Sequence, residues 1–220
     1  LVFWMMLKWE HQANEPGADK WIVLIFFMMG LSIGVHLLNL LTIPAIVMIY
    51  YFKRYSVTAW GTFWAFVIGC VITGIAQKVV IQYTINGAGS FDIFFVNNLG
   101  MPFFSGFIFY FILLTVLIWF GIRMAGSKEI SRTAFAIWLS VLAFTILYPF
   151  FASGTMGSTI VKLILVAIAV GAATSYGLPA LRKNPYFLKL ALWCFGFMMI
   201  GYSTYLTTLV RSAEDPAVDM

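Results

Sequence analysis

The sequence predicts an all-α fold, a polytopic transmembrane helix bundle, and three observations carry that prediction. Hydrophobic residues make up 62% of the 220 positions and the mean hydropathy is +0.96, whereas an average soluble domain is roughly 45–50% apolar. A chain so apolar cannot wrap itself in a polar shell. Charged residues make up only 10% of it and fall mostly in short connectors between apolar runs. Most of those runs have the length, about 20 residues, that crosses a hydrocarbon core of roughly 30 Å. Disorder is excluded because 18% of the residues are aromatic. No nucleic-acid partner is expected, since the net charge of +5 forms no contiguous basic face.

The chain reads as one transmembrane helical domain over 1–220. Residues 1–8 (LVFWMMLK) look like the last two turns of a helix whose beginning is missing, and the piece as a whole reads as part of a longer protein. Clear spans are expected at about 58–81, 103–122, 133–152, 158–179 and 186–209, with an outer loop at 82–102. The stretch from Trp21 to Phe52 is harder. Its 32 residues would make one helix of about 48 Å at 1.5 Å per residue, long for a single span. Split near Gly34-Val35-His36 it gives arms 21–35 and 37–52, each about 24 Å and short for a span.

Charge decides between the two readings, because cytoplasmic connectors are enriched in Lys and Arg. With a hairpin, one side holds Lys8, Lys20, Lys53, Arg54, Arg123, Lys128, Arg132, Arg182, Lys183 and Lys189, ten of thirteen basic residues. With a single span, Lys8 and Lys20 change sides and the split falls to eight against five. The hairpin is therefore expected, with 9–20, 53–57, 123–132 and 181–185 cytoplasmic. Those connectors read as ordinary solvated turns.

The opposite side collects the polar groups that could carry chemistry. His36 and Asn39 are three apart beside Gly30 and Gly34, and Ser32 lies between the glycines. An imidazole and an amide at membrane depth are costly without partners, so they either form a substrate site or tie the turn to neighbouring helices. Lys78 follows Gln77 near the end of a span. It either snorkels to the headgroups or binds the phosphate of a lipid-linked substrate. Arg211 has the same two-sided reading, as a phosphate fork or the partner of Glu214 or Asp215. In the expected loop, Phe91, Phe94, Phe95 and Leu99 form an apolar stripe, with Asp92 and Asn97 off it. That pattern suits a short amphipathic helix in the interface, packed as a lid or touching substrate. The candidate substrate-binding set is thus His36, Asn39, Lys78, Asp92, Asn97 and Arg211.

No catalytic residue and no metal site is assigned. Phosphate-cradling loops, paired carboxylates, a metalloprotease helix and a nucleophile elbow are all missing. Cys70 and Cys194 each sit in an apolar run, where a thiol behaves as a small hydrophobe.

Particular segments carry a family resemblance. KWE at 8–10, MGLSIGVHLLNLLTIPAIVMIYYFKRY at 29–55, FDIFFVNNLGMPFFSG at 91–106 and GYSTYLTTLVRSAEDPAVDM at 201–220 resemble multi-pass membrane proteins of Bacteroidota grouped with the GT-C glycosyltransferases. These are relatives of protein O-mannosyltransferases. The resemblance implies a partial GT-C-type fold in a bacterial cytoplasmic (inner) membrane, with the active face extracytoplasmic. The implied activity moves a sugar, mannose, from a polyprenyl-phosphate carrier to a Ser or Thr hydroxyl of a secreted protein. The implied partners are membrane lipid, the lipid-linked donor and the protein acceptor, and no cofactor beyond that donor is indicated. In the family an acidic residue of the first extracytoplasmic loop is the base, upstream of the KWE segment. It has no counterpart among these residues, and Asp92 does not inherit its role. From the residues alone, a transporter or flippase-like module and a non-catalytic scaffold bundle stay open.

Overall fold

The computed structural model describes residues 1–34, 36–127, 129–152 and 156–205. Secondary structure among them is helical throughout. In order these are α1 (Val2–Gln12), α2 (Lys20–Ile33), a 3-10 helix (Leu37–Thr42), α3 (Ile43–Arg54) and α4 (Ala59–Ile75). A π-helical turn (Ala76–Tyr83) leads into α5 (Thr84–Leu99), followed by α6 (Ser105–Ala125), α7 (Arg132–Ala152) and α8 (Met156–Ala172). A second π-helical turn (Ala173–Gly177), α9 (Leu178–Lys183) and α10 (Tyr186–Ser203) complete the series. Six of the described helical stretches are long and apolar enough to cross a membrane. Their surfaces expose Trp64, Ile112, Trp119 and Ile168, side chains that hydrocarbon accepts and water does not. The chain is a multi-pass membrane protein.

Where the sequence suggests a loop at 82–102, the chain is helical to Leu99, and Ala59–Leu99 runs as one helical stretch of 41 residues. The glycines that read as a loop are tolerated inside α5. Gly87 faces Tyr110 of α6, whose hydroxyl lies 2.8 Å from where a Cβ would stand. Gly100 then ends α5 in the left-handed conformation, φ +64, with its N–H donating to Val96 O and that of Met101 to Phe95 O.

The described chain falls into two compact units, Leu1–Val80 with Trp193–Met220, and Ile81–Leu192. Trp9 anchors the first and is fully buried. Its indole N–H donates to Asp19 Oδ1 at 3.3 Å, its ring stacks on Tyr50 at 5.1 Å, and the Arg54 guanidinium lies 5.9 Å from it. Lys53 pairs with Glu10 at 3.2 Å, and Trp21 donates to Gln12 Oε1 at 2.6 Å. Residues just before α2 and residues at the end of α3 therefore meet the same indole, so the chain reverses between them. Pro44 sits in the first turn of α3, where its missing N–H costs nothing.

Close helix approaches in this unit use glycine. A Cβ on Gly30 would strike the Met198 carbonyl oxygen of α10, and one on Gly201 would strike the Phe27 carbonyl oxygen of α2. Each glycine opens room for the backbone of the other helix.

The second unit packs Leu117, Met124, Ile130, Phe135, Trp138, Leu178 and Leu192 into one apolar cluster. Trp138 donates its indole N–H to Leu117 O at 2.8 Å, which satisfies its polar atom inside that core. Near the C-terminal end of α7, Lys162 donates to the Phe150 carbonyl at 2.7 Å and lies 4.4 Å from the Phe150 ring centroid. A cation there complements the carbonyl end of the helix.

Candidate functional site

α2 ends at Ile33, and His36 is extended, with φ −154 and ψ 111, before the 3-10 helix starts. The corner is tied by its own polar side chains. Asn39 donates its amide N–H to Ser32 Oγ at 2.7 Å, and Ser32 in turn donates to Met29 O at 2.9 Å. Thr42 donates to Asn39 O at 2.7 Å, and the His36 backbone N–H donates to Ser32 O at 2.7 Å. His36 Nδ1 accepts from the Leu38 N–H at 3.4 Å, which assigns the ring proton to Nε2. The imidazole itself is exposed, whereas Asn39 is half-buried. Asn39 thus ties the turn, and the His36 imidazole lies exposed at the same corner.

The other candidates are distributed differently. Lys78 is exposed within the π-helical turn of the first unit. Asp92 and Asn97 belong to the second unit. Asn97 is exposed on the last turn of α5. Arg211 lies outside the described residues. Within the first unit His36 and Asn39 are brought together, through Ser32 and through the 3.4 Å bond from the Asn39 N–H to His36 O.

Asp92 is committed elsewhere. Its carboxylate accepts from the backbone N–H of Phe104 at 3.2 Å, Gly106 at 3.1 Å and Phe107 at 3.4 Å. It caps α6 from a neighbouring helix, where an anion also complements the amide end of the helix dipole. α6 needs this, because the residue at its own cap position, Phe104, makes no side-chain cap bond and holds φ +69. Gly106 makes the approach possible, since a Cβ there would strike the Phe91 carbonyl oxygen and stand 2.6 Å from Asp92 Cα. The expected apolar stripe divides as well. Phe91 and Phe95 pack on Phe109, while Phe94 and Leu99 are exposed.

Arg132 and Arg182, which the sequence places in ordinary solvated connectors, line a cavity of about 260 Å³ in the second unit together with Thr174, Ser175, Leu178 and Pro179. Arg132 and Arg182 are separated by 50 positions in the chain, and no local spacing announces their meeting.

Comparison with protein families gives a match over residues 1–59 to the protein O-mannosyl-transferase TMEM260 N-terminal domain. Comparison with curated proteins and with solved structures gave no significant match. The matched stretch includes α1, the Trp9 cluster, α2, the His36 corner and α3, and over those residues the chain is similar to a protein O-mannosyl-transferase.

Proposed function

We propose that the chain is the membrane portion of a glycosyltransferase that moves mannose from a polyprenyl-phosphate carrier to a Ser or Thr hydroxyl of a secreted protein, on the extracytoplasmic face of a bacterial cytoplasmic membrane. The observation that carries the reading is the family match over residues 1–59. Within that stretch, His36 is an exposed imidazole at a corner whose other polar groups bond one another. Its Nε2–H is suited to donate to a phosphate oxygen of the carrier or to the acceptor hydroxyl. Asn39 keeps the corner in shape for that contact. Lys78, Asn97 and Arg211 remain further proposed contacts with donor or acceptor. Asp92 is left out of the set because its oxygens already bind three N–H groups.

The test uses the complete gene product in proteoliposomes, with polyprenyl-phosphate mannose as donor and a Ser/Thr-rich secretory peptide as acceptor. Mannose on the peptide is the expected result, and its absence with folded protein refutes the reading. His36→Ala is expected to abolish transfer while the protein still folds. Transfer at the wild-type rate removes His36 from the site. Single cysteines at 36 and 54, in a Cys70→Ser, Cys194→Ala background, are expected to label from opposite sides. Labelling from one side overturns the proposed hairpin topology.

A further inference from the structure

We propose that the cavity between Arg132 and Arg182 binds a phosphate group, supplied either by an anionic phospholipid headgroup or by soluble phosphate. Both guanidiniums are positioned by their surroundings. Arg182 lines the cavity and donates from Nε to the Ile130 carbonyl at 2.8 Å, which restrains the plane of its fork and leaves the terminal nitrogens out of that bond. Arg132 donates from Nη2 to Ser175 Oγ at 3.4 Å. The Ser175 hydroxyl, accepting that bond, has its own proton to give to a ligand oxygen.

Among the described residues neither arginine meets a carboxylate, the one ion pair being Lys53 with Glu10. Glu129, the nearest acid in sequence, is exposed and forms no such pair. Two cations lining one small cavity repel each other, and an anion between them reverses that term. Planar forks suit a phosphate, because each gives two parallel N–H donors to two oxygens.

The wall is built to present these groups. In the π-helical turn Ala173–Gly177, one extra residue per turn brings Ser175 round to Arg132, a device common at functional sites. Thr174 also lines the cavity, but its hydroxyl proton is given to Gly171 O at 2.9 Å. Leu178 and Pro179 supply an apolar side, as an ester arm requires. At about 260 Å³ the cavity is smaller than the roughly 300–1,000 Å³ of drug-sized pockets and accommodates one phosphate with its arm. Arg123, Lys183 and Lys189 lie on the same connectors or just beyond them, and basic pockets between membrane helices recognise lipid headgroups.

The experiment is phenylglyoxal labelling of the intact chain, read arginine by arginine by peptide mass spectrometry. One arm adds inorganic phosphate to detergent-solubilised protein. The other compares nanodiscs of phosphatidylcholine alone with nanodiscs containing dioleoylphosphatidic acid. Slower labelling of Arg132 and Arg182 together, with Arg123 unchanged, is expected in at least one arm. Protection by inorganic phosphate assigns a soluble source, and protection only by phosphatidate assigns a lipid. No protection in either arm, or equal protection of Arg123, overturns the proposal. Arg132→Gln is expected to raise the probe concentration that protects Arg182 by about tenfold, since one charged fork is lost. An unchanged concentration also overturns it. Arg182→Lys keeps the charge but not the fork, and is expected to weaken protection of Arg132.

Discussion

Replacing Asp92 distinguishes a helix cap from a substrate ligand. Its carboxylate holds three backbone N–H groups at the start of α6, two at 3.1–3.2 Å and a longer one at 3.4 Å. Removing a capping side chain costs about 0.5–2 kcal/mol. Loss of the negative charge at the amide end of the helix adds about 0.3–1 kcal/mol. Asp92 is half-buried, so water replaces part of what is lost. Asp92→Ala is expected to lower unfolding stability by about 2 kcal/mol. Asp92→Asn keeps one carbonyl acceptor and is expected to cost about 1 kcal/mol. The assay is a reversible SDS titration in mixed micelles, followed by far-ultraviolet circular dichroism. Sugar transfer by the same variants is expected to track the folded fraction. The cap argument fails if both variants stay within about 0.5 kcal/mol of wild type, the range of an ordinary surface substitution. Abolished transfer at unchanged stability would make Asp92 a ligand after all.

Three more outcomes follow from the same geometry. Phe104→Gly is expected to be neutral or stabilising by up to about 1 kcal/mol, because glycine relieves a positive φ and the Phe104 side chain is largely exposed; the same titration checks it. Gly30→Leu drives a side chain into the α10 backbone at Met198 and is expected to cost about 3 kcal/mol or more, read as a fall in the SDS midpoint and in folded yield. Trp9→Ala removes a fully buried indole with its Tyr50 stack and Asp19 bond, and a loss of about 3–5 kcal/mol is expected by that titration.

What the sequence made legible was set by averages over many residues. The runs at 103–122 and 133–152 lie within a few residues of α6 and α7, because twenty apolar side chains leave the backbone no partner but itself. The charge imbalance suggests a hairpin over 21–52, and residues at both ends of that stretch meet Trp9. What stayed hidden depends on single long-range meetings. Asn86, Gly87 and Gly89 looked like a loop because their local preference is for turns. α5 is nonetheless helical there, with Gly87 lying against Tyr110 of the next helix. Asp92 reads in the sequence as a candidate substrate contact or part of a packed lid, and the partners that occupy it stand 12 to 15 positions on. The cavity requires Ile130, Arg132, Ser175 and Arg182 at once. No periodicity encodes that meeting.

The 3-10 stretch before α3 changes how the two arms reach. Six residues wound at about 2.0 Å of rise cover about 12 Å instead of 9, so Leu37–Arg54 extends about 30 Å, the full hydrocarbon thickness. α2, with 14 residues, extends only about 21 Å. The arms are thus unequal partners for the lipid, and α2 alone leaves about 9 Å of acyl chain without matching helix, at a fraction of a kcal/mol per Å. Packing by α1 and by α10 at Gly30 covers α2 where lipid would fit it poorly. α2 is therefore too short to match the hydrocarbon core by itself, and its apolar length is complemented by the helices packed on it.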